Sequence, residues 1–352
     1  MISHTEDLVI DVGGSNRNLA QSRPAAARYQ RGLTLIELLV ALIISSLVAI
    51  AAISALIVSR QGFSTVDAAS QLRDNARFAT DLIQRLGVQT GYRDVRYAAT
   101  ARARNNIAVP LDSAPNVFGA NNSTPNPSDP ANTFTARTAG IGLGSDVLIM
   151  RHQTTETYPF SGVSDKSMID CAGVTDATPP GGRDIRTTSV IYVGLSQGEP
   201  SLMCIPLPAG GGPIADGQPI IRGVENFQVL YGVDNVVPNT APTGPLGNSV
   251  PDRYLRADQL NVPGNDNATK DNWRRVRSFR IGMVLRGAPG SAQGLASKTY
   301  YPLGQAKDSP TGSIGSAFSS ASDVGTVYTP TADSRLRQVV TFTVHFRNAQ
   351  EL

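Results

Sequence analysis

The chain has 352 residues, 41% of them apolar, enough for one large domain or two ordinary ones with a buried core. Only 17% are charged, and 33 Gly with 23 Pro argue for a loop-rich β protein and against a long-helix bundle. Thirty-one Lys and Arg against 28 Asp and Glu leave +3, too balanced for a nucleic-acid footprint, and two cysteines with scattered His4, His152 and His345 leave little material for a structural zinc or iron–sulfur site. No cofactor is expected.

In chain order, the first element is a basic flank, with Arg17, Arg23, Arg28 and Arg31 in the 17 residues that precede Leu33. Next, Leu38 to Val58 holds 21 residues without a charge. As a helix this run is about 31 Å long, close to the hydrocarbon thickness of a bilayer. Only Ser45, Ser46 and Ser54 interrupt it, and serine hydroxyls can bond back to the helix backbone. The run reads as a membrane span. The 17 residues after Ser59 carry only Arg60 and Arg73, so the positive-inside rule puts the N-terminus in the cytoplasm and everything after Arg60 outside. The apolar run is too long for a cleaved signal peptide, and no small-x-small site follows it. One charge, Glu37, stands near its front, where a carboxylate costs about 2.5–3.5 kcal/mol at mid-bilayer and less near the interface.

Arg31-Gly32 followed by Leu33-Thr34-Leu35-Ile36-Glu37 and an apolar helix resembles the class III leader junction of type IV prepilins and type II secretion pseudopilins. The resemblance implies a 1–32 leader cut after Gly32 by a membrane prepilin peptidase, with N-methylation of the new terminus at Leu33. Phenylalanine is usual at that first mature position, so Leu33 is a mild departure. It further implies that Glu37 pairs with the N-terminal amine of a neighbouring subunit and sets the register of assembly. Opposite charges in a low-dielectric layer attract strongly, and an unpaired one is expensive. The competing reading of Glu37 is a juxtamembrane carboxylate that reaches up to the headgroups.

Beyond the apolar half at 33–59, the helix is expected to continue over 60–90, with Gly62 as a candidate bend and Gly87 and Gly91 marking its end. Leu72, Ala76, Ala79, Ile83 and Leu86 fall on one face, and Arg73, Asp74, Arg77, Asp81 and Arg85 on the other. A single apolar stripe needs a partner surface, and a β-sheet is the natural one. The remainder, 91–352, reads as a β-rich head. Residues 101–140 look like irregular loop, and further loops are expected at 208–219, 236–272 and 287–325. Short apolar runs at Val147–Met150 and Val190–Val193 read as strands. So do the alternating segments Phe227 to Val233, Phe279 to Leu285 and Val340 to Phe346, which pattern as half-buried antiparallel strands. The fold class is therefore α+β, a long N-terminal helical spine packed on an antiparallel β-sheet head, pilin-like by the resemblance. The segments 223–234, 273–286 and 339–348 resemble PilW-type minor pilins, and J-type pseudopilins share part of the pattern.

Cys171 and Cys204, the only cysteines, fall on the oxidising side of this topology and are expected to form a disulfide, with two buried thiols as the alternative. Gly194-Leu195-Ser196-Gln197-Gly198 matches the G-x-S-x-G pattern of serine hydrolases, but the strand-like, proline-containing run after it places Ser196 in a hairpin loop. Trp273-Arg274-Arg275-Val276-Arg277 could touch DNA or acidic partners, against the plainer reading of a structural Trp with solvated arginines. Asn265, Asp266, Asn267, Asp271 and Asn272 offer oxygen ligands for calcium without the spacing of an EF-hand. The resemblance thus implies a non-enzymatic minor pilin in the inner membrane with a periplasmic head, later in the pilus. Its partners would be other minor and major pilins, prepilin peptidase, the inner membrane and a tip adhesin. Type II secretion pseudopilin and membrane-anchored periplasmic enzyme are the alternatives.

Overall fold

The structure, a computed structural model, describes residues 32–94, 97, 114–211, 214, 216–243, 249–292, 297–305, 318 and 322–348. The chain divides into two compact units, 1–57 and 58–352. The first holds the start of helix α1 (Leu35–Gln89). Its apolar window has a mean hydropathy of 2.7 and none of it is buried, so the helix is long and apolar enough to cross a membrane. A core helix of the same composition would be covered. Ser45, Ser46 and Ser54 donate to the carbonyls of Ala41, Ile43 and Ile50, so their hydroxyls leave no unsatisfied group along the rod.

In the second unit α1 runs on without a break at Gly62. Its buried stripe is Ala68, Leu72, Ala76, Ala79, Ile83 and Leu86, the face that the 4-3-4-3 spacing selects. Among the described residues eleven strands follow, β1 (Val117–Ala120), β2 (Ser123–Asn126), β3 (Asp129–Ala136), β4 (Val147–His152), β5 (Thr187–Ser196), β6 (Glu199–Leu207), β7 (Gln218–Arg222), β8 (Val224–Val233), β9 (Arg253–Leu255), β10 (Val276–Arg286) and β11 (Arg337–His345). Two short helices, α2 (Ala257–Leu260) and α3 (Asp266–Arg274), lie between β9 and β10. The strands form a five-stranded sheet ordered β1-β4-β5-β6-β7, a four-stranded sheet ordered β11-β10-β8-β9 and a β2-β3 ribbon. Every pairing is antiparallel.

In the four-stranded sheet, Phe279 stands opposite Tyr231 and Val344, Ile281 opposite Val229 and Phe342, and Met283 opposite Phe227 and Val340. Residues directly opposite share a face, so these side chains make one apolar surface. The α1 stripe from Leu72 to Leu86 belongs to the same core. The approach is close at Gly87, where an added Cβ would sit 2.6 Å from Val344 Cγ1 and 2.8 Å from Phe279 Cζ. The helix end is held by a residue beyond β11, because Asn348 Nδ2 donates to the carbonyls of Val88, in the last turn, and Thr90, just past it. The last carbonyls of a helix have no intrahelical partner. The two larger sheets meet at a buried carboxylate. Asp146 accepts from Asn122 N at 3.0 Å and Val229 N at 2.8 Å, and its own amide donates to Phe227 O.

Four expectations need correction. Strand β8 is buried along its whole length and β10 nearly so, not half-buried, because both faces of these inner strands are covered. Residues 117–136 are strands β1–β3, not irregular loop. Their Asn/Ser/Thr/Pro composition carries no period-two apolar signal, and cross-strand packing decides the matter instead. The 236–272 segment holds β9, α2 and most of α3, and the loop expected up to 219 already enters β7 at Gln218.

Cys171 and Cys204 are joined, linking the loop that precedes β5 to the middle of β6 across 33 residues of sequence. A loop of that length constrains the unfolded chain by roughly 4 kcal/mol in the entropic account. Reduction, or Cys204→Ser, is expected to lower the unfolding free energy of the second unit by about 2–4 kcal/mol. Denaturant unfolding of the detergent-solubilised chain with and without reductant measures this, and coincident curves would contradict it.

Candidate functional site

The candidate site is the N-terminal junction of α1. Thr34 precedes the first helical residue and Glu37 stands three positions on, a T-x-x-E pattern. Glu37 N donates to Thr34 Oγ1 at 3.3 Å, while Glu37 Oε2 accepts from Thr34 N and Thr34 Oγ1, both at 3.0 Å. This reciprocal capping box satisfies helix-end donors that have no intrahelical partner. It also places a carboxylate where the positive end of the helix dipole favours one. Sequence reasoning took Glu37 as a register charge and missed Thr34 as its partner, although the capping pattern was there to be read. Leu33 is exposed, and a Cβ built on Gly32 meets nothing within 4 Å. Packing therefore sets no requirement for glycine at 32. The structure brings Leu33, Thr34 and Glu37 within one helical turn.

The other candidates resolve into structural roles. Ser196 ends β5 and faces Glu199 of β6 across Gln197 and Gly198, both at positive φ (51° and 78°). That is a two-residue hairpin and not a nucleophile elbow, which needs a helix after the serine. His345 lies on β11 in the other sheet. Trp273 sits on α3, fully buried, with ring centroids 4.7 Å from both Phe118 and Tyr231. The arginines beside it are not solvated as expected. Arg274 and Arg275 are buried, Arg274 pairs with Asp271 at 2.7 Å, and Arg277 Nη1 donates to Arg274 O. Asn265 caps α3 by accepting from Ala268 N, and Asn272 Nδ2 donates to the carbonyls of Thr240 and Leu260. Among the described residues no group of three or more His, Cys, Asp or Glu is placed to hold a metal ion.

Two further charged constellations are structural as well. Burial pushes the pKa of Asp146 well above the usual carboxylate range, against the two backbone amides that favour its charged form. At the edge of the head nearest Ala68, Glu199 and Glu225 interleave with Arg286, Arg335 and Arg337 at 2.6–3.2 Å. Hydrogen bonding to Arg335, and then the pull of Arg286, holds the Glu199 carboxyl below its ordinary value. This clasp ties the starts of β6, β8 and β11 to the end of β10.

Comparison with known families matches residues 190–348 to Type IV Pilus-assembly protein W and residues 27–53 to the Prokaryotic N-terminal methylation motif. The first match spans β5 to β11, and the second the junction and the first turns of α1. Comparison with curated proteins gives no match. Among solved structures, a type IV-like pilin from Thermus thermophilus aligns at 12% identity over 80% of this chain and 98% of its own, with a TM-score of 0.37.

Proposed function

We propose that this chain, a type IV pilin-like protein with a PilW domain behind a prepilin methylation motif, works as a minor pilin in pilus assembly. Its leader, residues 1–32, is removed by prepilin peptidase, and the new amine at Leu33 is methylated. The apolar half of α1 stores the subunit in the inner membrane, with the head on the periplasmic side. On assembly that half exchanges lipid for the helices of neighbouring pilins, Glu37 meets a neighbour's amine, and the head supplies subunit-specific contacts. The place we assign it is the priming complex at the pilus tip, beside other minor pilins and an adhesin, in support of adhesion or twitching motility.

One observation carries this reading. The uncovered apolar rod begins with a carboxylate one turn from the Gly32–Leu33 bond and, within the second unit, ends docked on a sheet. A stand-alone periplasmic enzyme would need only the anchor, not the junction. The test is N-terminal mass spectrometry of the membrane-extracted protein. A mature chain that starts at N-methylated Leu33 is the expected result, and a working form that retains residues 1–32 would overturn the reading. Deletion that abolishes exoprotein secretion while leaving twitching intact would move the chain to the type II secretion pseudopilins.

A further inference from the structure

Sheet edges are templates for strand addition, and natural proteins blunt them with short strands, prolines, bulges or charges. Most edges here are blunted. Strand β1 has four residues and β9 three. Strand β7 carries Pro219 and Arg222 and has a register shift opposite Leu202 and Met203, and the ribbon carries Pro125, Pro130 and a shift of its own. Strand β11 has none of these protections after its first residue, Arg337. It is nine residues long, pairs with β10 in unbroken register, and holds no charge, proline or glycine from Gln338 to Val344.

Its free side can be read from the ladder. Phe346 N donates to Arg277 O and Gly287 N to Leu336 O, so even-numbered residues turn their backbone groups towards β10. The N–H and C=O groups of Val339, Thr341, Thr343 and His345 therefore point out of the sheet, and among the described residues nothing bonds them. The apolar face also runs out at this edge, because Val340 and Phe342 pack on the core yet stay half-buried. The edge borders the surface on which α1 lies, since Val344 abuts the helix at Gly87.

We propose that the free edge of β11 docks an extended segment of a neighbouring pilin subunit, which joins the four-stranded sheet as a fifth strand. The inference rests on the pilin reading above and names the partner surface. The added strand would bond the four outward residues through its backbone and cover Val340 and Phe342 with apolar side chains. A second copy's β11 does not fit. Pairing of identical edges requires a two-fold axis, and a polar fibre has all its subunits pointing the same way. The occupant is therefore an uncharged, β-branched stretch on a different surface of another pilin.

The test uses the full-length chain, free in detergent and in sheared pili. Amides of Val339, Thr341, Thr343 and His345 are expected to exchange fast in the free chain and at least tenfold more slowly in pili. Those of Val340 and Phe342 should be slow in both. In parallel, Thr341→Pro removes one outward N–H and is expected to lower incorporation at least tenfold, while Thr341→Val keeps the amide and incorporates normally. Equal exchange in both states, outward amides already slow in the free chain, or a normally incorporated Thr341→Pro chain would each overturn the proposal. If Thr341→Pro fails to form the Cys171–Cys204 link, the exchange comparison on the unaltered chain decides. Failure to recover the unaltered chain from pili would remove the pilin reading itself, and this inference with it.

Discussion

Gly32→Val is expected to leave only the full-length precursor in the membrane, with processing reduced at least 100-fold on an immunoblot. The structure supplies the control for this result. A Cβ at 32 would meet no neighbour within 4 Å, so packing around that position does not oppose the substitution, and insertion should be normal. In the proposed function, a peptidase would have to fit the backbone of the Gly32–Leu33 bond into its cleft, and only glycine offers no Cβ to obstruct that approach. Efficient trimming of the valine variant would show that the junction is not a processing site, and the assembly argument would lose its first step.

The second large effect concerns Glu37, where the observed cap and the proposed register role would fall on one carboxylate. As the third residue of a capping box it steadies the first turn, a contribution of about 1 kcal/mol. In the proposed pairing with a neighbour's amine in a low-dielectric layer it would matter more, since removal of one member of a buried ion pair costs about 3–5 kcal/mol. Glu37→Val removes both contributions, and Glu37→Gln keeps an acceptor for the Thr34 amide while removing the charge. Both variants are therefore expected to be inserted and cleaved, and both to be depleted from pili by about 100-fold or more, at 1.4 kcal/mol per factor of ten. The readout is the ratio of subunit in sheared pili to subunit in membranes. Normal incorporation of Glu37→Gln would reduce Glu37 to a helix cap.

Where one force dominated, the sequence was legible. The uncharged stretch from Leu38 to Val58 can only be a rod that avoids water, and the stripe from Leu72 to Leu86 can only be one side of a helix. The alternation along β8, β10 and β11 was legible as strand, but not its depth, since β8 is buried along its whole length while β11 lies at the edge of the sheet. By contrast, β1 to β3 are short and polar, and no local preference specifies them. They form because β1 pairs with β4, whose every residue is buried. Nor could the arginines beside Trp273 be judged from charge balance, since the partner of Arg274 lies one turn back on the same helix and only burial reveals the need for it. At the candidate site the acid near the start of the apolar helix was readable, while the cap from Thr34 was missed although the T-x-x-E spacing carries it.

Asn348 holds the carbonyls of Val88 and Thr90 across about 260 positions of sequence, so a residue beyond β11 closes a turn at the end of α1. A chain synthesised from its N-terminus completes α1 long before the strands that its buried stripe rests on. Only when β11 arrives does the half-built head lock shut. Changes just beyond β11 would then act far away in sequence, loosening the footing of α1.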